Sequence, residues 1–345
     1  MVIGLAVPST VWAQVPPVGV PAGVVRVELD GSFNWFERTF DDGTLENIAQ
    51  PNLGGSATDA HVDVGTASFG LGLGLTNAIT IFGGIPLIRT RVQTVTPPES
   101  PPEVNDRILT FRGDAEFGAA LTLVDGWDRG KKRGGFRTAV SGLVRIPTGA
   151  SFRNDRLLGI GQDQGQTDVQ VNLTADVGSG PLGVRFTGFY NHQLPATITM
   201  LVISPDEPLI GPGSLSQVRR DPGDIVSLGI EPFYRVARTF ALQAGLTHAA
   251  RSTDEISYAT PADSIPGVDP GLLGIDSKVN ATTLSLGITY SNPGALRPGG
   301  RGLPVDATWS YERILWEGGG RTPDSHVVRA SLQLYFGLWN KPLPR

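Results

Sequence analysis

The 345-residue chain has no cysteine, so neither disulfides nor thiolate metal ligands are available to it. It also lacks a basic surplus. Lys and Arg number 28 against 33 Asp and Glu, a net charge of −5, which excludes the basic footprint that a nucleic-acid partner requires. Charged residues of both signs are scarce, at 18 %. Long apolar runs are missing as well. No stretch approaches the ~20 consecutive apolar residues of a membrane helix, so the chain would have to enter a bilayer with strands. Glycine (45) and proline (27) are abundant instead. The mean hydropathy is −0.03. A transmembrane β-barrel gives such a value, because lipid-facing and lumen-facing residues alternate and average out.

The stretch Asp168–Val177 shows that alternation plainly. Val169, Val171, Leu173, Ala175 and Val177 are apolar; Asp168, Gln170, Asn172, Thr174 and Asp176 between them are polar. Only an extended strand, with its two-residue side-chain period, puts these sets on opposite faces. The pattern recurs and predicts an all-β chain, a single antiparallel transmembrane barrel of about twelve strands, with fourteen as the alternative count. The segments are Val24–Phe40, Asp59–Leu75, Ile79–Val95, Ile108–Val124, Gly135–Gly149, the stretch from Asp168, Gly183–Leu194, Asp224–Arg235, Phe240–Ser252, Lys278–Ser291, Val305–Trp316 and Ser325–Trp339. In the second, Val62 and Val64 fall on one parity and Phe69, Leu71 and Leu73 on the other, which predicts a bulge near Gly65 or Gly70. The third contains Pro86, which removes a ladder hydrogen bond.

The connections alternate between long (Asp41–Thr58, Thr96–Arg107, Ala150–Gln166, Pro195–Gly223, Thr253–Ser277, Glu317–Asp324) and short or medium. Long extracellular loops and short periplasmic turns give this rhythm in the bacterial outer membrane. An even strand count returns both termini to the periplasm. Aromatics near strand ends (Phe40, Trp127, Tyr190, Tyr234, Tyr290, Trp316, Trp339) suit interfacial girdles. Met1–Ala13 reads as the apolar part of a secretory signal ending in Val11-Trp12-Ala13, without a preceding basic stretch. Residues 14–23 form a periplasmic lead-in, 24–339 the barrel and 340–345 a tail.

Motifs for chemistry are weak. Gly70-x-Gly72-x-Gly74 has neither a following helix nor a phosphate-binding lysine and reads as small residues in a strand. His61, His192, His248 and His326 fall in no metal-binding spacing, and no nucleophile elbow selects a serine. The acidic pairs Asp41-Asp42 and Asp206-Glu207 read as solvated loops. No cofactor, metal or catalytic residue is expected. The polar faces are the candidate site: Arg26, Glu28, Asp30, Arg112, Asp114, Glu116, Arg137, Arg145, Asp168, Gln170, Asn172, Asp176, Arg185, Glu231, Arg235, Asp306, Glu312 and Arg329 are predicted to line a lumen. Their mixed signs predict pairing between neighbouring strands, since unpaired buried charge is costly.

Several phrases together carry a resemblance: Gly74-Leu-Thr-Asn-Ala-Ile-Thr-Ile-Phe-Gly-Gly-Ile-Pro86, Arg112-Gly-Asp-Ala-Glu-Phe-Gly118, Arg145-Ile-Pro-Thr-Gly149, Gly165-Gln-Thr-Asp168 and Tyr335-Phe-Gly-Leu-Trp339. They resemble the outer-membrane family of meta-pathway phenol-degradation proteins, which is grouped with barrels that import hydrophobic compounds. The resemblance spans Gly70 to Trp339 and implies passage or uptake of small apolar molecules. It supplies no ligand residues. The fatty-acid and toluene importers have a long N-terminal plug; the proline-rich Gln14–Gly23 is too short to predict one. The expected partners are outer-membrane lipids or lipopolysaccharide and a small solute. The alternative is a structural barrel whose extracellular loops bind a protein.

Overall fold

Period-two alternation is realised as strands along the chain in the computed structural model, which describes residues 19–41, 44–47, 59–95, 104–126, 134–149, 165–202, 215–292, 295 and 302–338. The expected signal segment, the C-terminal tail, Trp127, Trp339 and the acidic residues 42, 206 and 207 lie outside these residues. The strands are β1 (Val24–Phe36), β2 (Arg38–Asp41), β3 (Thr44–Asn47), β4 (Asp59–Gly74), β5 (Ile79–Val95), β6 (Val104–Arg112), β7 (Ala115–Asp125), β8 (Gly135–Ile146), β9 (Asp168–Ser179) and β10 (Leu182–Gln193). They continue as β11 (Ala196–Leu201), β12 (Leu215–Asp221), β13 (Ile225–Arg235), β14 (Phe240–Arg251), β15 (Glu255–Tyr258), β16 (Val279–Ser291), β17 (Val305–Gly318), β18 (Arg321–Pro323) and β19 (His326–Gly337).

Twelve of them close a ring in the order β4-β1-β19-β17-β16-β14-β13-β10-β9-β8-β7-β5, with β4 pairing back to β5. Every described pairing in the ring is antiparallel, and the seam between first and last strands runs from Val24↔Gly337 to Trp35↔His326. Closure satisfies the backbone hydrogen bonds that lipid could not. Apolar side chains face outward and stay exposed, among them Leu29, Phe69, Leu71, Ile81, Phe117, Leu173, Leu228 and Leu286. The β9 faces separate as the sequence demands: Asp168, Gln170, Asn172, Thr174 and Asp176 are buried, while Val169, Val171, Leu173 and Val177 are exposed. A closed twelve-stranded barrel with this apolar belt belongs in the bacterial outer membrane. The start of β1 and the end of β19 meet at one rim, where Val24 stands opposite Gly337.

Three features differ from the sequence expectation. First, β4 has no bulge: its register with β5 runs unbroken from Asp59↔Val95 to Gly74↔Thr80, and that with β1 is equally regular. The parity of the apolar set changes because the surroundings change. Toward the periplasm Phe69 and Leu71 point outward, exposed as in lipid; toward the loops Val62, Val64, Ile88 and Val92 are buried on the inner side, and His61, Asp63, Arg89 and Arg91 take the outer side. The upper halves of β4 and β5 stand clear of the bilayer, where water replaces lipid outside.

Second, the predicted strand Ile108–Val124 is split. β5 pairs with β7 over Ile79–Gly84 and with β6 over Leu87–Val95. The break lies at Pro86, which has no N–H to give, and Gly113 N donates to Pro86 O at 2.9 Å. The extra residue at Gly113-Asp114 turns Arg112 to the outer face, opposite Leu87, where it is exposed.

Third, the extracellular connections carry structure. β2, β3 and β18 form one small sheet, and β11, β12 and β15 another. The second sheet packs Val202, Val218 and Ile256 with Ile198, Tyr258, Ile265, Val268 and Leu273, partly from short 3-10 turns at Pro261–Asp263 and Pro270–Ser277. Asp254 anchors this cap to the barrel rim: it accepts from Arg220 Nε at 2.8 Å and from Gly223 N at 3.0 Å, and pairs with Arg251.

Candidate functional site

Strand register places charges of alternating sign opposite one another on the inner wall. Arg137, Asp176, Arg185 and Glu231 form one row across β8, β9, β10 and β13. Asp176 is fully buried between two guanidinium groups, with Arg137 Nε at 2.8 Å and Arg185 Nε at 2.9 Å, and Arg185 lies 3.6 Å from Glu231. A second row crosses β7, β8 and β9: Arg145 donates from Nε to Glu116 at 2.9 Å and from Nη1 to Asp168 at 2.8 Å. Gln170 and Asn172 lie between the rows, and Asn172 donates to Ser141 at 3.2 Å. Asp176, Glu116 and Asp168 thus accept charge-assisted hydrogen bonds, which offset much of their desolvation.

The remaining predicted residues gather elsewhere. On the β1–β19 seam Arg26 pairs with Glu28 at 3.1 Å, Gln333 donates to Glu28 at 2.8 Å, and the Tyr335 hydroxyl donates to Asp306 at 2.7 Å. Asp30 stands opposite Ser331. Arg329 donates to Glu312 at 2.8 Å. Arg235 lies over the Phe233 ring at 5.2 Å. Asp114 is buried in the bulge, where it accepts from Gly149 N at 3.1 Å. Arg112 is the exception, being on the outer face.

The sequence reading passed over the apolar part of the interior. Phe82, Ala120 and Leu143 form a buried cluster on β5, β7 and β8. The Phe82 ring occupies the space a Cβ on Gly118 would need. The usable signal was parity: with Ile79 and Ile81 facing lipid, Phe82 must face inward. The inner wall therefore carries buried apolar residues on β4 and β5 (Val62, Val64, Phe82, Ile88) beside the charged groups of β7–β10 and those of β1, β17 and β19.

A second missed element is a short strap from Gly19 to Gly23 inside the periplasmic mouth. Val20 N donates to Thr80 Oγ1 at 2.8 Å, Gly19 N to Thr122 Oγ1 at 3.2 Å and Ala22 N to Asn77 Oδ1 at 3.2 Å. Gly23 N donates to Gly74 O at 2.9 Å, and Leu338 N to Gly23 O at 2.8 Å. Val20 is buried with Val24 and Tyr335. A side chain on Gly74 would collide with the carbonyl oxygens of Val20 and Pro21, so the strap fits only over glycine. Five residues reach from β4, β5 and β7 to the last strand.

The four histidines stand away from this lumen. His61 bonds Glu37 and Asp63, His192 bonds Asp224, His248 stacks on Trp316, and His326 stacks on Trp35. Among the described residues no group of three His, Asp or Glu side chains is arranged to hold a metal ion.

No protein-family model and no curated protein matches this sequence. Solved structures do. The COG4313 outer membrane channel from Pseudomonas putida F1 is 13 % identical and superposes over 93 % of this chain and 98 % of that one with a TM-score of 0.62. The translocator domain of the autotransporter NalP from Neisseria meningitidis is 10 % identical, over 95 % and 93 %, with a TM-score of 0.44. The similarity to the first is one of fold, and with the closed ring and its apolar belt it makes this chain an outer-membrane β-barrel of twelve strands.

Proposed function

We propose that the chain is an outer-membrane channel for small, largely apolar molecules, of the kind implied by its resemblance to the phenol-degradation barrels. The observation that carries this is an inner wall of apolar side chains beside charged groups that pair with one another, with a strap of five residues hydrogen-bonded inside one rim. The charged rows compensate themselves, so they offer little single-sign selectivity. The inward apolar side chains Val62, Ile88 and Phe82 would offer a solute contacts that do not require it to shed hydrogen bonds. The strap is the stop at the periplasmic end. The COG4313 barrel of similar fold is itself described as a channel.

The strap is also the testable part. Thr80→Val removes the acceptor for Val20 N–H. Losing one such bond costs about 1 kcal/mol, which shifts the docked-to-undocked ratio about fivefold. Gly74→Val should displace the strap outright. Single-channel conductance in planar bilayers is expected to rise in the order wild type, Thr80→Val, Gly74→Val, and uptake of an apolar aromatic probe into liposomes with it. Conductance and uptake unchanged in Gly74→Val would remove the strap from the transport path.

A second reading rests on the extracellular cap, whose own apolar core of Val202, Val218 and Ile256 makes it a small folded unit. It would present a surface to a protein partner. Replacing the cap segment between β14 and β16 with a short linker separates the two readings: transport persists and partner binding is lost if the cap is a docking element.

A further inference from the structure

The outer face of β5 and β6 carries a cationic step just above the lipid-facing belt. On β5 the belt runs through Ile79, Ile81, Ile85 and Leu87, all on the outer face, and Leu87 is 57 % exposed. The next outward residue is Arg89. Arg112 stands on the same face of β6, opposite Leu87 and diagonal to Arg89, which itself lies opposite Thr110. Arg89 and Arg112 are both exposed. Among the described residues Arg89 has no hydrogen-bond or ion-pair partner, and Arg112 donates only to the Thr148 carbonyl. The carboxylates of this face lie farther from the bilayer. Asp106 is held by Arg91 at 2.7 Å, and that guanidinium pulls its carboxyl below the usual range. Asp63 is taken by His61 at 2.8 Å.

The vertical order is therefore apolar belt, two arginines with no ion pair among the described residues, then acids already paired, Asp106 held by Arg91 with Arg89 adding only to the field around it. Arginine presents a planar fork that matches phosphate oxygens two at a time, and a desolvated interfacial site strengthens the pairing. We propose that Arg89 and Arg112 form a binding site for the phosphate groups of an anionic glycolipid of the outer leaflet, the lipid A part of lipopolysaccharide. Leu87 and Phe117, exposed on the outer face below them, would lie along its acyl chains. This inference rests on the orientation with long loops outside the cell, not on what the lumen conducts.

The test uses the full-length protein in detergent, titrated with lipid A and followed by native mass spectrometry. Wild type is expected to bind bisphosphorylated lipid A more tightly than its dephosphorylated form and than phosphatidylglycerol. Arg89→Gln with Arg112→Gln should weaken binding roughly tenfold or more, each cationic group near a charged surface contributing about 1 kcal/mol. Arg313→Gln, an exposed arginine on β17, should leave it unchanged. Heat-shifted gel mobility checks that each variant is folded, and Arg89→Lys with Arg112→Lys keeps charge without the fork and should lie between. Lipid A bound equally by wild type and the double glutamine variant overturns the proposal. So does indifference to dephosphorylation, a preference for phosphatidylglycerol, or complete displacement by millimolar inorganic phosphate, which would indicate a site for the free anion.

Discussion

Asp176→Ala is expected to cost the barrel about 3–5 kcal/mol, the penalty for leaving buried charge without its partner. The residue is fully buried and takes both Arg137 and Arg185. Its removal leaves two guanidinium groups facing each other across β9, with Glu231 3.6 Å from Arg185. Urea unfolding of protein inserted in lipid vesicles measures the loss. Asp176→Asn keeps some hydrogen bonding without the charge and should fall in between. The informative companion is Asp176→Leu with Arg137→Met and Arg185→Met. Exchanging a whole buried ionic group for apolar side chains is often neutral or stabilising, so most of the loss should be recovered. A wild-type unfolding midpoint for Asp176→Ala would show that the row does not hold the wall together.

The second large effect belongs to the opposite face. Leu173→Arg, halfway along β9 and 52 % exposed on the outside, should cost about 2–4 kcal/mol. The bilayer midplane offers the new charge neither water nor a partner. The same substitution at Thr110, outside the belt on β6 beside Arg89, should stay within about 0.5 kcal/mol. Equal costs at the two positions would mean that the upper part of β6 is also sunk in lipid.

Much of this architecture is legible in the amino-acid order because alternation, loop length and parity each speak to a different constraint. Ten of the twelve predicted segments correspond to single ring strands, Asp59–Leu75 and Ile79–Val95 almost to the residue; Ile108–Val124 is split, and Val24–Phe40 breaks after Phe36 into β1 and the loop strand β2. The ionic rows were foreseeable as well: Arg137, Asp176 and Arg185 alternate in sign on successive strands of inward parity. What the sequence hides is anything set by which strand meets which neighbour at what height. The bulge at Gly113-Asp114 is a property of the ladder opposite Pro86, and it alone decides that Arg112 looks outward while Glu116 looks inward. The cap sheet joins residues from two loops whose proximity only the closed ring creates. The strap escaped notice because its hold comes from side chains on β4–β7, Asn77 and the threonines 80 and 122, rather than from any pattern of its own.

The parity change along β4 has a consequence for how much sequence error such a barrel can absorb. In the lower half of that strand the solvent outside is hydrocarbon, in the upper half it is water, and one uninterrupted pairing frame serves both. Deleting a single residue between Val64 and Phe69 would bring the two apolar sets onto one side. Neither choice of frame then works: either Phe69 and Leu71 turn into the lumen, or Val62 and Val64 turn out to water and the polar row behind them turns in. Deleting two residues restores both alternations and merely shortens the wall. In-frame changes to this strand should therefore be tolerated in even steps and rejected in odd ones, a grammar that comes from having two solvents stacked along one strand.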